Sequence, residues 1–192
     1  MAGNLKRIGV LALQGGFDPH LRALGNLGVQ GVPVKTFEEI QTCDALVMPG
    51  GESTTIGKLL SLRGFFERLA DFLRGGFPVF GTCAGLILLS RRAIGHDQPL
   101  LGVLDVDVAR NAYGRQTESF EAIFPFEGAG SVEIPAVFIR APQIVRLGSG
   151  VRTLATYEGQ AVCVQQGAIL AASFHPELTE SKVLHDYFLS LV

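Results

Sequence analysis

The chain has 192 residues, close to the roughly 150 expected of a single domain. Its 47% apolar and 18% charged content excludes a disordered chain, which combines low hydrophobicity with high net charge. Sixteen Lys and Arg against eighteen Asp and Glu leave a net charge of −2, and adjacent basic pairs occur only at Lys6-Arg7 and Arg91-Arg92. Nucleic-acid binding, which requires a basic stripe, is therefore not expected. The scarcity of charge fits a sheet covered on both faces, and equally a surface covered by a partner.

The uncharged stretch Gly75 to Ser90 contains Pro78, Gly76, Gly81 and Gly85 and falls short of the ~20 apolar residues of a membrane span. The run Ile8 to Leu13 is too short for a signal-peptide core of about 7–15 residues. Cys43, Cys83 and Cys163 form an odd, widely spaced set without Cys-x-x-Cys. A cytoplasmic, reducing location is expected.

In chain order, Arg7 to Leu13 reads as a strand buried on both faces, as in a parallel sheet. Asp18-Pro19 reads as an N-cap with proline at the first helical position, followed by Leu21, Leu24 and Leu27 at helical spacing. A strand at Gly31 to Val34, a short helix near Thr36 to Gln41 and a strand at Ala45 to Met48 follow. After a polar loop at Pro49 to Thr55, a helical stretch runs through Leu73 to a strand at Pro78 to Phe80. This alternation implies right-handed crossovers and a two-sided sheet. From Leu101 the period shortens to strands at Val103 to Ala109, Ser119 to Ile123, Val132 to Ile139, Thr153 to Tyr157, Gln160 to Gln165 and Ala168 to Phe174. A final helix spans Ser181 to Leu191. The absence of a repeat or linker makes residues 1–192 one α/β domain with a β-rich second half.

Gly81-Thr-Cys83-Ala-Gly85 stands between a strand and the apolar helix Leu86 to Ser90. This is the nucleophile-elbow pattern with cysteine at its centre. Glycine two residues to either side removes Cβ atoms that would collide in the sharp turn, and a helix N-terminus favours an anionic sulfur. The plain alternative is an inert core cysteine, which the flanking glycines argue against. Among the four histidines, His20 and His185 lie in expected helices and His96 in a polar loop, all three read as surface residues. His175 ends an apolar strand. In an extended segment Glu177 faces the same side and can orient the imidazole. Pro49-Gly-Gly-Glu-Ser-Thr-Thr55 is no phosphate loop, because Gly51 to Gly57 encloses five residues and Leu59 replaces the magnesium-binding hydroxyl. Gly50 and Gly51 suit an oxyanion hole, with the Ala84 N–H as second donor.

Together, Gly81-Thr-Cys-Ala-Gly-Leu86, Pro49-Gly-Gly-Glu-Ser53 and His175-Pro-Glu177 resemble the class I (triad) glutamine amidotransferases. More narrowly, Leu13-Gln-Gly15, Gly50 to Thr55, Arg110-Asn111, Gly114-Arg-Gln116, Ser119-Phe-Glu121, Phe138-Ile-Arg-Ala-Pro142 and Ser173 to Glu180 are similar to the glutaminase subunit of pyridoxal 5′-phosphate synthase. Gly16-Phe-Asp-Pro19 departs from that pattern. The resemblance implies a flavodoxin-like three-layer α/β sandwich with a central, mainly parallel sheet and its site at the strand C-termini. Carried over by position, it implies Cys83 as nucleophile, His175 as base and Glu177 as orienting group. Glutamine contacts would come from Gly51, Glu52, Ser53, Arg110, Ile139 and Arg140, and the oxyanion donors would be the N–H groups of Gly51 and Ala84. An arginine fork matches an α-carboxylate, so Arg110 or Arg140 is the expected anchor, while Arg115 and Glu121 could pair with each other or with a partner. No metal or bound cofactor is expected. The short stretch after His175 leaves no room for a synthase domain, so ammonia should pass to a separate subunit, which the resemblance identifies as the pyridoxal 5′-phosphate synthase barrel. A glutaminase of another pathway such as histidine biosynthesis, a cysteine-elbow stress hydrolase or chaperone, and a non-catalytic regulatory partner are the alternatives.

Overall fold

A computed structural model describes residues 5–110 and 119–192. The first half alternates as expected: β1 (Arg7–Leu11), α1 (Phe17–Asn26), β2 (Gln30–Val34), α2 (Phe37–Gln41), β3 (Ala45–Met48), α3 (Ser53–Leu62), α4 (Phe66–Arg74), β4 (Val79–Thr82) and α5 (Ala84–Leu89). The second half supplies β5 (Ser90–Ile94), β6 (Leu104–Ala109), β7 (Ser119–Phe126), β8 (Val132–Ile139), β9 (Gln143–Leu147), β10 (Arg152–Tyr157), β11 (Gln160–Gln166), β12 (Ile169–Ala172) and α6 (Val183–Leu189).

Seven strands form one sheet in the order β10-β11-β12-β4-β3-β1-β2. From β12 to β2 every neighbouring pair is parallel, and β10 and β11 add an antiparallel edge. A parallel sheet needs cover on both faces, and β3, β4 and β12 are buried at every position. Their pleat sends alternate residues to opposite cores. Leu46, Met48, Val79 and Ala171 pack with α2, α3, α4 and α5 on one face. Ala45, Val47, Phe80 and Leu170 pack with α1, α6 and the β7–β8 hairpin on the other. The result is the expected three-layer α/β arrangement around a mainly parallel sheet.

Several local expectations are corrected. α1 starts at Phe17 with Gly16 as its N-cap and no side-chain cap bond, so Asp18 and Pro19 lie inside its first turn. Proline is tolerated there because first-turn N–H groups lack intrahelical acceptors. The helical stretch after Thr55 is broken into α3 and α4 at Gly64, whose φ of 73° is left-handed. β5 and β9 were not expected. They flank β6 in a separate three-stranded sheet, and their apolar patterning is poor because part of its support is ionic, with Arg146 donating to Asp105 at 2.8 Å. The last helix is shorter than expected, covering Val183–Leu189. His20 and His185, read as surface residues, are completely buried, because α1 and α6 turn those faces onto the sheet. Asn111, Gly114, Arg115 and Gln116 lie outside the described residues. No helix among the described residues is long and apolar enough to cross a membrane.

Two glycines in helices separate close packing from open space. A Cβ on Gly85 in α5 would lie 2.0 Å from the Met48 carbonyl oxygen, whereas one on Gly25 in α1 would meet nothing within 4 Å. Gly85→Ala is expected to destabilise the fold by about 3 kcal/mol or more, at the upper end of overpacking effects. Gly25→Ala should stabilise it by about 0.5–1 kcal/mol. Urea unfolding of both variants measures the difference, and equal midpoints would contradict this packing.

Candidate active site

β4 ends at Thr82 and α5 begins at Ala84, leaving Cys83 to make the turn at φ 48° and ψ −100°. The glycines permit it. A Cβ on Gly81 would lie 2.7 Å from the Gly85 carbonyl carbon, and one on Gly85 would strike β3. The Cys83 N–H donates to the Ala172 carbonyl at 2.8 Å, which ties the elbow to the end of β12. Three residues further on, the His175 N–H donates to Val137 of β8 at 2.8 Å.

Glu177 reaches His175 by a different route from the expected extended one. Pro176–Leu178 forms a 3-10 turn with proline at its start, a position suited to proline's fixed φ. The turn brings the Glu177 Oε1 to 2.7 Å from His175 Nδ1. The second carboxylate oxygen, Oε2, lies 3.4 Å from His20 Nε2. His20 Nε2 is also 3.1 Å from Thr82 Oγ1, and its Nδ1 is 2.9 Å from His185 Nε2.

Burial alone would lower the pKa of His175, but hydrogen bonds to Cys83 and Glu177, with the charges of both, push it up to about 10. Burial would raise the pKa of Glu177, but His20 and His175 hold it below the ordinary carboxylate value. His20 and His185 are driven the other way: burial lowers both, His185 to about 3. His20 is therefore neutral beside Glu177, and their contact is that of a dipole with an anion.

Cys83, His175 and Glu177 open onto a cavity of about 340 Å³ that is also lined by Gly51, Glu52, Arg110, Ile139 and Arg140. All of these were expected. Arg110 is tethered, its Nη1 donating to Gln98 Oε1 at 2.9 Å and Thr54 Oγ1 at 3.2 Å, with Nη2 3.6 Å from Glu52. Arg140 stands exposed at φ 42°, and the Ile139 carbonyl is 3.9 Å from Cys83 Sγ. Ser53 and Ala84 are buried behind the wall. Ser53 Oγ donates to Gln98 at 3.2 Å. Ala84 begins α5 directly after Cys83, so its backbone N–H, at the helix N-terminus, is the group that stands next to the cavity. The Gly50–Gly51 peptide lines the same cavity, its Gly50 carbonyl accepting from Gly16 N–H at 3.0 Å. Gly50 must be glycine, since a Cβ there would lie 2.3 Å from His175 Cε1.

Sequence reasoning missed Gln14, Gln98 and the two buried histidines. Gln14 lines the cavity and accepts the Glu52 N–H at 2.8 Å. A signal did exist for His20, which shares a helical face with Leu24 four residues on, both being buried.

The chain matches the SNO glutamine amidotransferase family over residues 10–192. It is 52% identical to pyridoxal 5′-phosphate synthase subunit PdxT of Brevibacillus brevis, with 97% of each chain covered. It is 51% identical to the PdxT of Pelotomaculum thermopropionicum, covering 95% of this chain and 93% of that one. A crystal structure of a glutamine amidotransferase superposes with TM-score 0.92 at 49% identity, over 96% of this chain and 97% of that one. The structure of PurLQS from Thermotoga maritima shares the fold at TM-score 0.71 and 14% identity, over 97% of this chain and 99% of that one.

A raised pKa means that the protonated form is preferentially held in the folded state. His175 therefore adds stability that is fully present below its ordinary value of 6.5 and fades as pH rises towards about 10. NMR titration of its ring should show imidazolium through pH 8, and Glu177→Gln should lower the midpoint. A midpoint below 7 in the wild-type chain would contradict this electrostatic picture.

Proposed function

This chain belongs to the SNO glutamine amidotransferase family, and from that premise we propose that it is the glutaminase subunit of a pyridoxal 5′-phosphate synthase, hydrolysing L-glutamine to L-glutamate and ammonia. The observation that carries the reading is the meeting of Cys83, His175 and Glu177 in one cavity at the C-terminal ends of β4 and β12. Its volume stands at the small end of ligand pockets, roughly 300–1,000 Å³, which suits a single amino acid. The full-length relatives named PdxT support the pathway.

In this mechanism Cys83 Sγ bonds to the side-chain amide carbon, and the carbonyl electron pair moves onto oxygen. The N–H groups of Gly51 and Ala84 hold that oxyanion. The His175 imidazolium gives its proton to the departing nitrogen, and the carbon–nitrogen bond breaks to leave a γ-glutamyl thioester and ammonia. His175 then takes a proton from the water that attacks the thioester, and Cys83 leaves as glutamate forms. Glu177 keeps the Nδ1 proton in place and stabilises the imidazolium. The α-carboxylate of glutamine pairs with Arg110 or Arg140, with Glu52 beside Arg110 available to the α-amino group. Ser53 acts from behind the wall, through Gln98.

Ammonia freed into water would be protonated and lost, so the proposal includes a synthase barrel subunit that accepts it. A depression of about 550 Å³ beside the cavity shares Leu178 with it and is lined by Ile123, Pro135 and Val137. Ile123 is 67% exposed, and this apolar strip, rimmed by Glu121, Thr179 and Glu180, supports a docking partner. We place the complex in the cytoplasm and treat the whole chain as one glutaminase domain.

Cys83→Ser is expected to abolish ammonia release without unfolding the chain, because an unactivated hydroxyl is a far weaker nucleophile than a thiolate. Retention of a tenth of wild-type turnover would remove Cys83 from the chemistry. Glu177→Gln should damage turnover less than His175→Ala, since the base remains, and equal, near-zero effects of the two on turnover would place the base elsewhere.

The chain alone should be a poor glutaminase that gains activity when the synthase docks. One hydrogen bond from Gly16 holds the Gly50–Gly51 peptide, and such a bond contributes only about 1 kcal/mol net. Reorienting it is cheap beside the roughly 10²–10³ in rate that one oxyanion donor controls. Ammonia release is measured for the chain alone and with saturating synthase, and a kcat equal within twofold would refute the coupling.

A further inference from the structure

Behind Glu177, away from the cavity, the completely buried side chains of His20, Thr82 and His185 make a polar chain through an apolar core. Glu177 Oε1 is bonded to His175, whereas Oε2 is buried and has no hydrogen-bond partner of good geometry among the described residues. The closest ionisable group facing Oε2 is His20 Nε2, at 3.4 Å. Two registers of protons are possible along the histidines. If His20 carried its proton on Nδ1, a bare Nε2 lone pair would face the carboxylate, and the His185 Nδ1 proton would be stranded, because that atom is buried without a partner. If His185 Nε2–H donates to His20 Nδ1, then His20 Nε2–H points at Thr82 Oγ1 and Glu177 Oε2, and the unpartnered His185 Nδ1 is merely a lone pair. Only the second register avoids both conflicts.

We infer that His20 is a positioning residue of the glutaminase reaction: its Nε2–H, set by His185, holds the Glu177 carboxylate in the anionic form and orientation that aligns His175 with Cys83. This rests on the glutaminase reading above. His20 touches neither glutamine nor Cys83, so it acts entirely through Glu177. The titratable groups closest to Glu177 are His175 on its own turn and His20 on α1, with His185 of α6 behind His20 and Cys83 of the elbow beyond His175. Arg22 of α1, Glu180 and Lys182 line a second depression with Glu177, and none of the three forms an ion pair with it among the described residues. Removing the His20 donor therefore makes Glu177 easier to protonate, and leaves the carboxylate only the His175 hydrogen bond and its own backbone N–H.

The test is steady-state glutamine hydrolysis by the full chain with saturating synthase subunit, from pH 5 to 9, for wild type, His20→Leu, His20→Gln and Cys83→Ser. His20→Leu should lower kcat at least about tenfold, because the N–H dipole facing the buried Oε2 is lost and a buried charged oxygen is left facing only apolar groups. KM for glutamine should stay within about twofold, since ground-state binding is untouched, and the acid limb of the kcat profile should move to higher pH. His20→Gln, whose Nε2 donor reaches about the same place, should restore most of the rate and the limb. A normal kcat in His20→Leu, or a loss that leaves the acid limb unmoved and is not rescued by Gln, overturns the inference and assigns His20 to packing. Should His20→Leu not fold, His20→Asn takes its place: Asn reaches only to the Nδ1 position, so Gln must outperform it, and equal rates overturn the inference. Turnover surviving in Cys83→Ser would instead overturn the triad reading, and this one with it.

Discussion

How closely α5 can approach β3 decides the geometry of the whole C-terminal edge of the sheet. A Cβ on Gly85 would sit 2.0 Å from the Met48 carbonyl oxygen, and one on Gly81 would sit 2.7 Å from the Gly85 backbone. With both side chains absent, β4 turns into α5 within one residue, and Cys83 takes up the strain at φ 48°. Such a conformation costs about 1–3 kcal/mol. All six residues of α5 are buried, and each fully buried leucine contributes about 1.5–3 kcal/mol. Burial exceeds strain, so the sulfur is held above the sheet by the apolar helix beneath it.

Where burial is periodic, the fold could be read from residues alone. The continuous apolar runs at Ile8–Leu11 and Ala45–Met48 are the parallel strands they resemble, because a strand covered on both faces has no polar positions. Patterning fails where other forces hold an element. β5 contains Arg91 and Arg92, both exposed, and β9 is held to β6 through Arg146 and Asp105. Neither carries the alternation that marks a half-buried strand. The break at Gly64 is equally silent, since a lone glycine in a helical pattern is compatible with a continuous helix.

The site was legible for a related reason. An elbow, a glycine pair and a His-x-Glu each place local demands on the backbone, and local demands leave motifs. The pairing of His175 with Glu177 is correct although the extended geometry used to predict it is not. A two-residue separation brings the side chains together through the 3-10 turn as well. What no motif records is contact between distant helices. His20 and His185 are 165 positions apart, and each looks like one polar residue in an amphipathic segment. Only the packing of α1 and α6 onto the same sheet face turns them into a pair.

That pair resolves a conflict that the active-site motif creates. Glu177 must be an anion to hold the His175 imidazolium, yet it is nearly sealed from water, with a side chain only 2% exposed. A second cation behind it would compensate the charge but would compete with His175 for the carboxylate. A purely apolar wall would leave half of a buried carboxylate facing no dipole, and a buried polar group left without a partner costs about 1–3 kcal/mol, and more when it is charged. A neutral imidazole avoids both outcomes, since it offers an N–H dipole without a full charge. Burial, which lowers the pKa of His20, keeps it neutral. The desolvation that makes the carboxylate difficult to ionise is therefore also what keeps its neighbour in the protonation state able to support it.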